Sequence, residues 1–267
     1  MIDAARAKGV DVEADQYAYT AASSGLAIRF PSWVLEGGQA KIAERLNTPE
    51  TWEKIKQEIT AALAARGLRD LAFATVAFYR PDPSRNGLSM PQIAQRRFGD
   101  GSFDSQLEAA REMLLDGGAQ MVYHLMSDED VERIMRHPQV AIASDSSVLV
   151  SGEGVPHPRG YGDNARVLGT YVRARHVLSL EEAVRKMTSL PAQHFHFEKR
   201  GLVRVGYAGD LVVLDPDRVA DTATYETPNA YPDGLPYVLV NGVVVVKNGA
   251  QTAARPGQVL ANSILQR

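Results

Sequence analysis

The amino-acid sequence predicts an α/β fold in two parts, with helices and buried strands over residues 1–199 and hairpins over residues 200–267. Residues 140–145 read Val-Ala-Ile-Ala-Ser-Asp, which is typical of a buried strand that ends on an acid. Apolar residues at helical spacing recur before residue 200. After it, Asn241-Gly242 separates two valine-rich runs, which is a strong signal for a two-residue hairpin turn.

Composition limits the classes of protein and partner. The 267 residues are enough for one large or two modest domains, and 45% hydrophobic with 23% charged residues is ordinary for a globular protein. A net charge of −3 predicts neither a nucleic-acid partner nor a basic membrane patch, and no apolar run is long enough to span a membrane. The absence of cysteine excludes disulfides, cysteine nucleophiles and thiolate ligands. We favour a cytoplasmic location, and any signal peptide would precede residue 1.

The elements of the first part alternate in type. Residues 10–17 alternate apolar and polar side chains, which predicts a strand, and the small polar residues 17–25 predict a loop. Residues 39–66 predict helices with apolar residues at helical spacing. The β-rich run at 71–79 predicts a strand that a Pro-Asp-Pro-Ser turn closes.

The later elements continue this pattern. Helices are predicted at 91–97 and 104–116, a strand at 119–126, a helix at 128–136 and a strand at 210–214. Ser179 and Glu182 have the spacing of a capping box that starts another helix. We expect that helix to run to Leu190, because Pro191 prevents its simple continuation.

Two residues after the strand at residue 140 point to chemistry. Asp145 places a carboxylate at the carboxyl end of a buried strand, where α/β barrels keep their active sites. Arg159 follows in a loop stiffened by two prolines. Its guanidinium is well suited to bind an anionic group through two parallel hydrogen bonds. The alternatives are a helix-capping aspartate and a solvated surface arginine.

Eight stretches carry a family resemblance in one order along the chain: residues 11–19, 31–38, 143–145, 157–159, 166–169, 182–192, 208–215 and 240–242. Together they resemble the N-acyl-D-amino-acid deacylase (D-aminoacylase) branch of the amidohydrolase superfamily. The resemblance implies a partial metal-dependent-hydrolase TIM barrel in residues 1–199, with its last two strands and a long active-site insertion at about 25–118. It also implies the carboxyl-terminal share of a small β-sandwich in residues 200–267. The chain is then expected to be a carboxyl-terminal portion, and its start inside a helix agrees with that.

The resemblance also sets an expectation about the metal. The full-length family uses zinc, held by a His-x-His on strand one, a bridging group and histidines on strands five and six. We find none of these positions in this chain. Asp145 remains as a contact to a second metal or to its water, and a catalytic zinc needs about three protein ligands. We therefore expect that this chain alone binds no metal tightly and hydrolyses nothing.

The resemblance assigns roles to five residues. Asp145 would take a proton from the metal-bound water and pass it to the leaving amine. Arg159 would bind the α-carboxylate of the substrate. Tyr17 and Ser23 match positions of the substrate pocket, with an aromatic seal and turn chemistry as their alternatives. His157 could assist substrate binding, although a structural role in its loop ranks first.

Two further features weigh on the site. His194 and His196 have metal-pair spacing, but they follow Pro191 in a predicted short helix, where residues two apart do not share a face. We therefore assign them a structural role. The family usually continues the acid of strand eight with glycine, whereas Ser146-Ser147 follow Asp145 here. This difference leaves the preferred acyl amino acid open.

The predicted activity is hydrolysis of the amide bond of N-acyl-D-amino acids by an amidohydrolase of which this chain is an incomplete part. The partner is then a small N-acyl amino acid, together with the missing amino-terminal half or a second copy of the chain. Two alternatives stay open. One is another amidohydrolase activity, such as cyclic-amide hydrolysis. The other is a non-catalytic interaction piece that pairs through exposed strand edges.

Overall fold

The structure is a computed structural model that describes residues 1–260 of the chain. The last residues of the predicted hairpin part, 261–267, lie outside the described residues. Helices and strands alternate over most of the chain, and antiparallel strands follow near its end. The predicted α/β class is therefore confirmed.

In chain order the α-helices are α1 (Ile2–Arg6), α2 (Gln39–Asn47), α3 (Pro49–Ala64), α4 (Met90–Phe98), α5 (Phe103–Leu115), α6 (Asp128–Met135), α7 (Arg159–Arg166), α8 (Leu180–Met187) and α9 (Ser189–His194). A π-helical segment, Val167–Ala174, continues α7, and short 3-10 turns lie at Leu26–Arg29, Ser32–Leu35 and Pro83–Arg85. The strands are β1 (Ala14–Gln16), β2 (Ala22–Gly25), β3 (Ala74–Phe78), β4 (Gln120–Tyr123), β5 (Val140–Ile142), β6 (Leu211–Val213), β7 (Tyr237–Val240), β8 (Val243–Lys247) and β9 (Ala250–Gln251).

β1 and β5 form a parallel pair, although more than a hundred residues separate them. Ala14 pairs with Val140, and Gln16 pairs with Ile142. The strand predicted at 10–17 is thus reduced to the three residues that β5 can pair with. Because parallel strands point the same way, the residues that follow both strands meet at one end of the pair.

The loop predicted at 17–25 was wrong in its second half, which forms β2. This strand pairs with β4, from Ala22 opposite Tyr123 to Gly25 opposite Gln120, and β4 also pairs with β3. Small polar residues carry no period-two signal. Pairing with a distant strand decides their conformation here.

The segment between β1 and β5 has its own core. The buried side chains between Leu26 and Tyr123 form one hydrophobic cluster. In this cluster α2, α3, α4 and α5 pack with the sheet β2-β4-β3. On α3 the buried side chains are Trp52, Ile55, Ile59 and Leu63, at the spacing of one helix face. The helices predicted over 39–66 are therefore confirmed.

A second core joins distant parts of the chain. Ala18 after β1, Ile142 of β5 and Tyr171 of the π-helical segment are buried in one cluster. Val219 belongs to the same cluster and is 1% exposed. β6 is the first strand of a four-stranded antiparallel sheet. The chain that follows β6 thus packs, through Val219, on the first part of the protein.

The predicted helix after Ser179 begins correctly and ends early. The Ser179 hydroxyl accepts the Glu182 N–H at 3.2 Å, but the Glu182 carboxylate bonds to Arg185 at 2.7 Å, so the structure records half of the capping box. α8 ends at Met187. Pro191 lies in the first turn of α9, where N–H groups have no intrahelical partner and proline is tolerated.

The predicted hairpin is confirmed. β7 and β8 pair antiparallel around Asn241 and Gly242, whose φ angles of 48° and 77° fit a two-residue turn with both central residues left-handed. No helix in residues 1–260 is long and apolar enough to cross a membrane.

Lys186 is a buried cation beside the first residue of β5. Its side chain is 0% exposed, and its ammonium donates to the carbonyls of His137 and, at 2.9 Å, of Val140. The Glu182 carboxylate lies 3.8 Å away. The ammonium thus satisfies backbone acceptors where β5 begins.

Replacing Lys186 should test this role. Lys186→Met keeps most of the side-chain volume but leaves the Val140 carbonyl without this donor, whereas the His137 carbonyl still accepts the Val140 N–H. We therefore expect a loss of about 1–3 kcal/mol in the free energy of unfolding. Urea unfolding measures this loss. Lys8→Met, at an exposed position, serves as control and should change stability by less than about 0.5 kcal/mol. Equal unfolding midpoints for the two variants would contradict the assignment.

Candidate functional site

The parallel pair β1–β5 brings two predicted site residues into contact. Asp145 follows β5 by three residues, and its Oδ2 lies 2.8 Å from Nη2 of Arg159. The Arg159 side chain is 8% exposed, whereas the Asp145 side chain is 64% exposed. The pair therefore joins a largely buried guanidinium to a carboxylate that faces solvent.

The backbone holds both members of this pair in specific conformations. Asp145 has φ 48°, in the left-handed region that few residues other than glycine, asparagine and aspartate adopt readily. Arg159 is the first residue of α7, and its guanidinium lies over the Tyr17 ring, with 4.5 Å from Cζ to the ring centre. Cation–π contact and the ion pair thus fix the guanidinium from two sides.

His157 is part of the scaffold of the site. Its Nε2 lies 2.8 Å from the carbonyl oxygen of Ala21, and its Nδ1 accepts the N–H of Arg159 at 3.0 Å. A ring with Nδ1 as acceptor and Nε2 as donor is neutral. Burial lowers the pKa of His157 to about 4, in agreement with that state.

Tyr17 and Ser23 occupy different places around the pair. Burial raises the pKa of Tyr17, whose hydroxyl lies 3.5 Å from Sδ of Met126. Its ring packs against the guanidinium of Arg159. Ser23 lies on β2, and its hydroxyl accepts a bond of 3.4 Å from Gln120.

A cavity of about 510 Å³ opens beside the ion pair. Asp145, Arg159, His157 and Ser23 line it, so four of the five predicted site residues face one space. Its other walls come from β3, from Gln120 of β4 and from residues 146–156, which we call the cavity loop. This loop leads from Asp145 towards α7. Such a volume is typical of a small-molecule site.

Three charged residues to which the sequence analysis gave no role hold the segment after β1. Oδ1 of Asp163 accepts the Ala18 N–H at 2.7 Å, and Nε of Arg166 donates to the Ala18 carbonyl at 2.7 Å. Asp221 pairs with Arg166 at 3.1 Å and accepts the Tyr19 hydroxyl at 3.2 Å.

Asp163 is unusual among these residues. Burial raises its pKa to about 7, and its second oxygen, Oδ2, is buried without a hydrogen-bond partner among the described residues. Its position four residues after Arg159 places both on one side of α7. That spacing is the one sequence signal that could have drawn attention to it.

The donor set of residues 1–260 does not fit a catalytic zinc. No group of three or more histidine, aspartate or glutamate side chains in this range could hold a metal ion. The Asp145 carboxylate is bound to Arg159. His194 ends α9, with Nδ1 3.8 Å from the Glu13 carboxylate, and His196 lies beyond the helix with φ 55°.

Comparison with known proteins gives one family. The model of the amidohydrolase family matches residues 54–246. An N-acyl-D-aspartate deacylase of Alcaligenes xylosoxydans xylosoxydans is 44% identical over 154 residues, 58% of this chain and 30% of the relative. An N-acyl-D-glutamate deacylase of the same organism is 34% identical over 259 residues, 97% of this chain and 43% of the relative.

A solved structure agrees with these matches. The N-acyl-D-glutamate deacylase from Bordetella bronchiseptica, complexed with zinc and a phosphonate inhibitor, superposes with a TM-score of 0.71 at 34% identity, over 97% of this chain and 44% of that chain. The α/β fold of the described residues is thus the fold of a corresponding part of that enzyme. The chain spans less than half the length of these relatives.

The structural role of His157 predicts a pH dependence of stability. Its pKa is about 4 in the folded chain and about 6.5 in the unfolded one, so between these values the unfolded state binds a proton that the folded state does not. Stability should therefore fall as the pH is lowered from about 6.5 to about 4. In His157→Gln this contribution is absent, and the stability advantage of the wild type should shrink over that window.

Urea unfolding at pH 7.5, 6 and 5 measures this difference. Groups other than His157 titrate in both proteins and cancel. His176→Gln, at an exposed position, is the control for loss of a solvated imidazole. A constant stability difference between wild type and His157→Gln across the window would contradict a buried, neutral His157.

Proposed function

The chain belongs to the amidohydrolase family, and we propose that it supplies the carboxylate-binding and proton-transfer residues of an N-acyl-D-amino-acid deacylase. The observation that carries the proposal is the Asp145–Arg159 pair of 2.8 Å at the edge of the cavity. The named activities of the relatives support this choice of substrate class.

We propose that the described residues form part of a (β/α)₈ barrel, with β1 as its seventh strand and β5 as its eighth. The parallel pairing of these neighbours supports this assignment. In the same proposal residues from about 25 to 118 are an insertion, which their separate core supports. Residues 200–267 are assigned to a β-sandwich, and the antiparallel sheet β6-β7-β8-β9 supports this assignment within the described residues.

Arg159 binds the α-carboxylate of the substrate in this mechanism. Its guanidinium is planar, always charged and able to form two parallel hydrogen bonds with a carboxylate. Asp145 holds that position until substrate arrives. The substrate carboxylate then replaces Asp145, and the released aspartate stays within reach of the amide bond because Arg159 fixes the substrate beside it.

Asp145 then transfers a proton during amide hydrolysis. Water adds to the amide carbonyl carbon, and the Asp145 carboxylate accepts the proton that the water loses. The carbon–nitrogen bond breaks as this proton passes to the nitrogen, giving a free amine and a carboxylic acid, which then loses its remaining proton to water and becomes a carboxylate. Zinc has no fitting donor set in residues 1–260, so we propose that ligands for any zinc in the complete site lie outside the described residues.

The arginine in the cavity wall also separates the alternatives. A substrate with a free α-carboxylate binds Arg159 and releases Asp145, whereas a cyclic amide without that group leaves Asp145 paired with Arg159 and so does not free the proton acceptor. The site geometry therefore favours the deacylase over cyclic-amide hydrolysis. We propose that completion of the site requires an amino-terminal portion like that of the relatives.

A chimera tests the proposed function. The amino-terminal part of the Bordetella N-acyl-D-glutamate deacylase is joined to residues 1–267, and release of amine is measured with N-acetyl derivatives of D-glutamate, D-aspartate and D-leucine and with a cyclic amide. We expect hydrolysis of at least one N-acyl-D-amino acid and none of the cyclic amide. The isolated chain should show no hydrolysis.

Substitutions in the chimera separate the two roles. Asp145→Asn should lower kcat about 10²- to 10⁴-fold without raising KM, because it removes the proton acceptor and also the anion that competes with the substrate for Arg159. Arg159→Lys should raise KM, since lysine lacks the bidentate geometry. Asp217→Asn, at an exposed position, is the control. Full activity of Asp145→Asn would refute the proton-transfer role, and hydrolysis of the cyclic amide alone would refute the deacylase.

A further inference from the structure

The cavity loop, residues 146–156, has few bonds to the rest of the protein. Val148 is 100% exposed and Val150 is 63% exposed, although both line the cavity. One anchor lies at its end, where the Val155 N–H donates to the Ala77 carbonyl at 2.8 Å. The other anchor lies near its tip, where the Gly152 N–H donates to Oδ1 of Asn229 at 3.1 Å.

The Asn229 carbonyl accepts a second bond, from the Tyr161 hydroxyl at 2.9 Å. Gly152 contributes a backbone N–H, which can only donate, so the side-chain atom of Asn229 that meets it must be the oxygen. Tyr161 lies on α7, two residues after Arg159. One carbonyl oxygen therefore connects the cavity loop to the helix that carries the carboxylate-binding arginine.

Asn229 is itself held by a strap, residues 219–231, that runs along α7. At one end Val219 is buried and Asp221 pairs with Arg166, the last residue of α7. At the other end the Tyr231 ring meets the Tyr161 ring edge-on, at 5.7 Å between centres. The strap is thus fixed to the helix on both sides of Asn229, which gives its carbonyl a defined position.

We propose that Asn229 is a positioning residue for substrate binding, which holds the cavity loop against α7 so that the wall around Arg159 is ordered before substrate arrives. A loop that is already ordered loses less conformational freedom on binding, so affinity rises. Among the described residues, the hydrogen bonds of the Asn229 side chain come from Gly152 and Tyr161 and not from Asp145 or Arg159. Its effect should therefore appear in KM and leave the chemical step intact.

Two properties distinguish this role from a general contribution to stability. Both bonds use Asn229 as an acceptor, so Asn229→Asp should preserve them, whereas Asn229→Leu has similar size and no acceptor. Tyr161→Phe removes one donor and leaves the bond to Gly152, so its effect should be smaller. Asn164→Leu, at an exposed position on α7, is the matched control.

Hydrogen exchange on the chain tests the loop directly and does not depend on activity. In Asn229→Leu we expect the amides of the loop tip around Gly152 to exchange about 5- to 10-fold faster, as loss of one hydrogen bond implies. Asn229→Asp and Asn164→Leu should exchange like the wild type. Unchanged exchange in Asn229→Leu, or equal acceleration in the Asp and Leu variants, would overturn the proposal. If Asn229→Leu does not fold, wild-type exchange in Tyr161→Phe and rapid exchange in Asn229→Asp would together overturn it.

The kinetic consequence rests on the proposed function and is measured in the active chimera. Asn229→Leu should raise KM about 5- to 10-fold with kcat within about twofold of the wild type, and Asn229→Asp should restore KM. A fall in kcat at unchanged KM would refute the positioning role. An inactive chimera would count against the proposed function, while the exchange measurements would still decide the role of Asn229.

Discussion

The parallel pairing of β1 with β5 is the constraint on which the site depends. Each strand contributes three paired residues, and the chain between them forms a separate core. Because both strands end at the same side, Tyr17 and Asp145 emerge together. α7 then places Arg159 between them, in contact with the Tyr17 ring and the Asp145 carboxylate. The site is therefore a product of strand register.

The burial of charged side chains is the main unfavourable contribution to the folding free energy of this site. Arg159 and Asp163 are nearly inaccessible to water, and burial of charged groups is unfavourable unless they are paired and hydrogen-bonded. Asp145 neutralises Arg159, and Asp163 receives one backbone N–H while its pKa rises to about 7. Of these two buried groups, Arg159 lines the cavity, and charged groups with unusual environments often mark functional sites.

Sequence reasoning succeeded where local signals were strong. The amphipathic pattern of α3 and the Asn241-Gly242 turn each depend on neighbouring residues, and both are confirmed. β2 was missed because its small residues acquire a strand conformation from β4. Pro191 was misjudged because the break between α8 and α9 falls three residues earlier, at Thr188.

The site itself was predicted unevenly for the same reason. Asp145 and Arg159 lie near each other in the chain, so their contact was within reach of sequence reasoning. The bond from Ala18 to Asp163 spans 145 residues and that from Tyr19 to Asp221 spans 202, distances over which one sequence carries no pairing signal. His157 illustrates a further limit, because its neutral state depends on two backbone partners, at Ala21 and Arg159, that no motif specifies.

The pairing of Arg159 with an exposed carboxylate affects how the site would discriminate between anionic ligands. In the proposed mechanism an incoming carboxylate takes the place of Asp145, so one anion is exchanged for another at a cation that is already largely buried in the free structure. The ligand carboxylate loses water when it binds Arg159. The displaced Asp145 carboxylate, whose side chain is already largely exposed, gains water in return. Attraction at the guanidinium is therefore partly cancelled by the bond that breaks. Discrimination between ligands then depends on the shape and hydrogen-bond geometry of the competing anions more than on their charge.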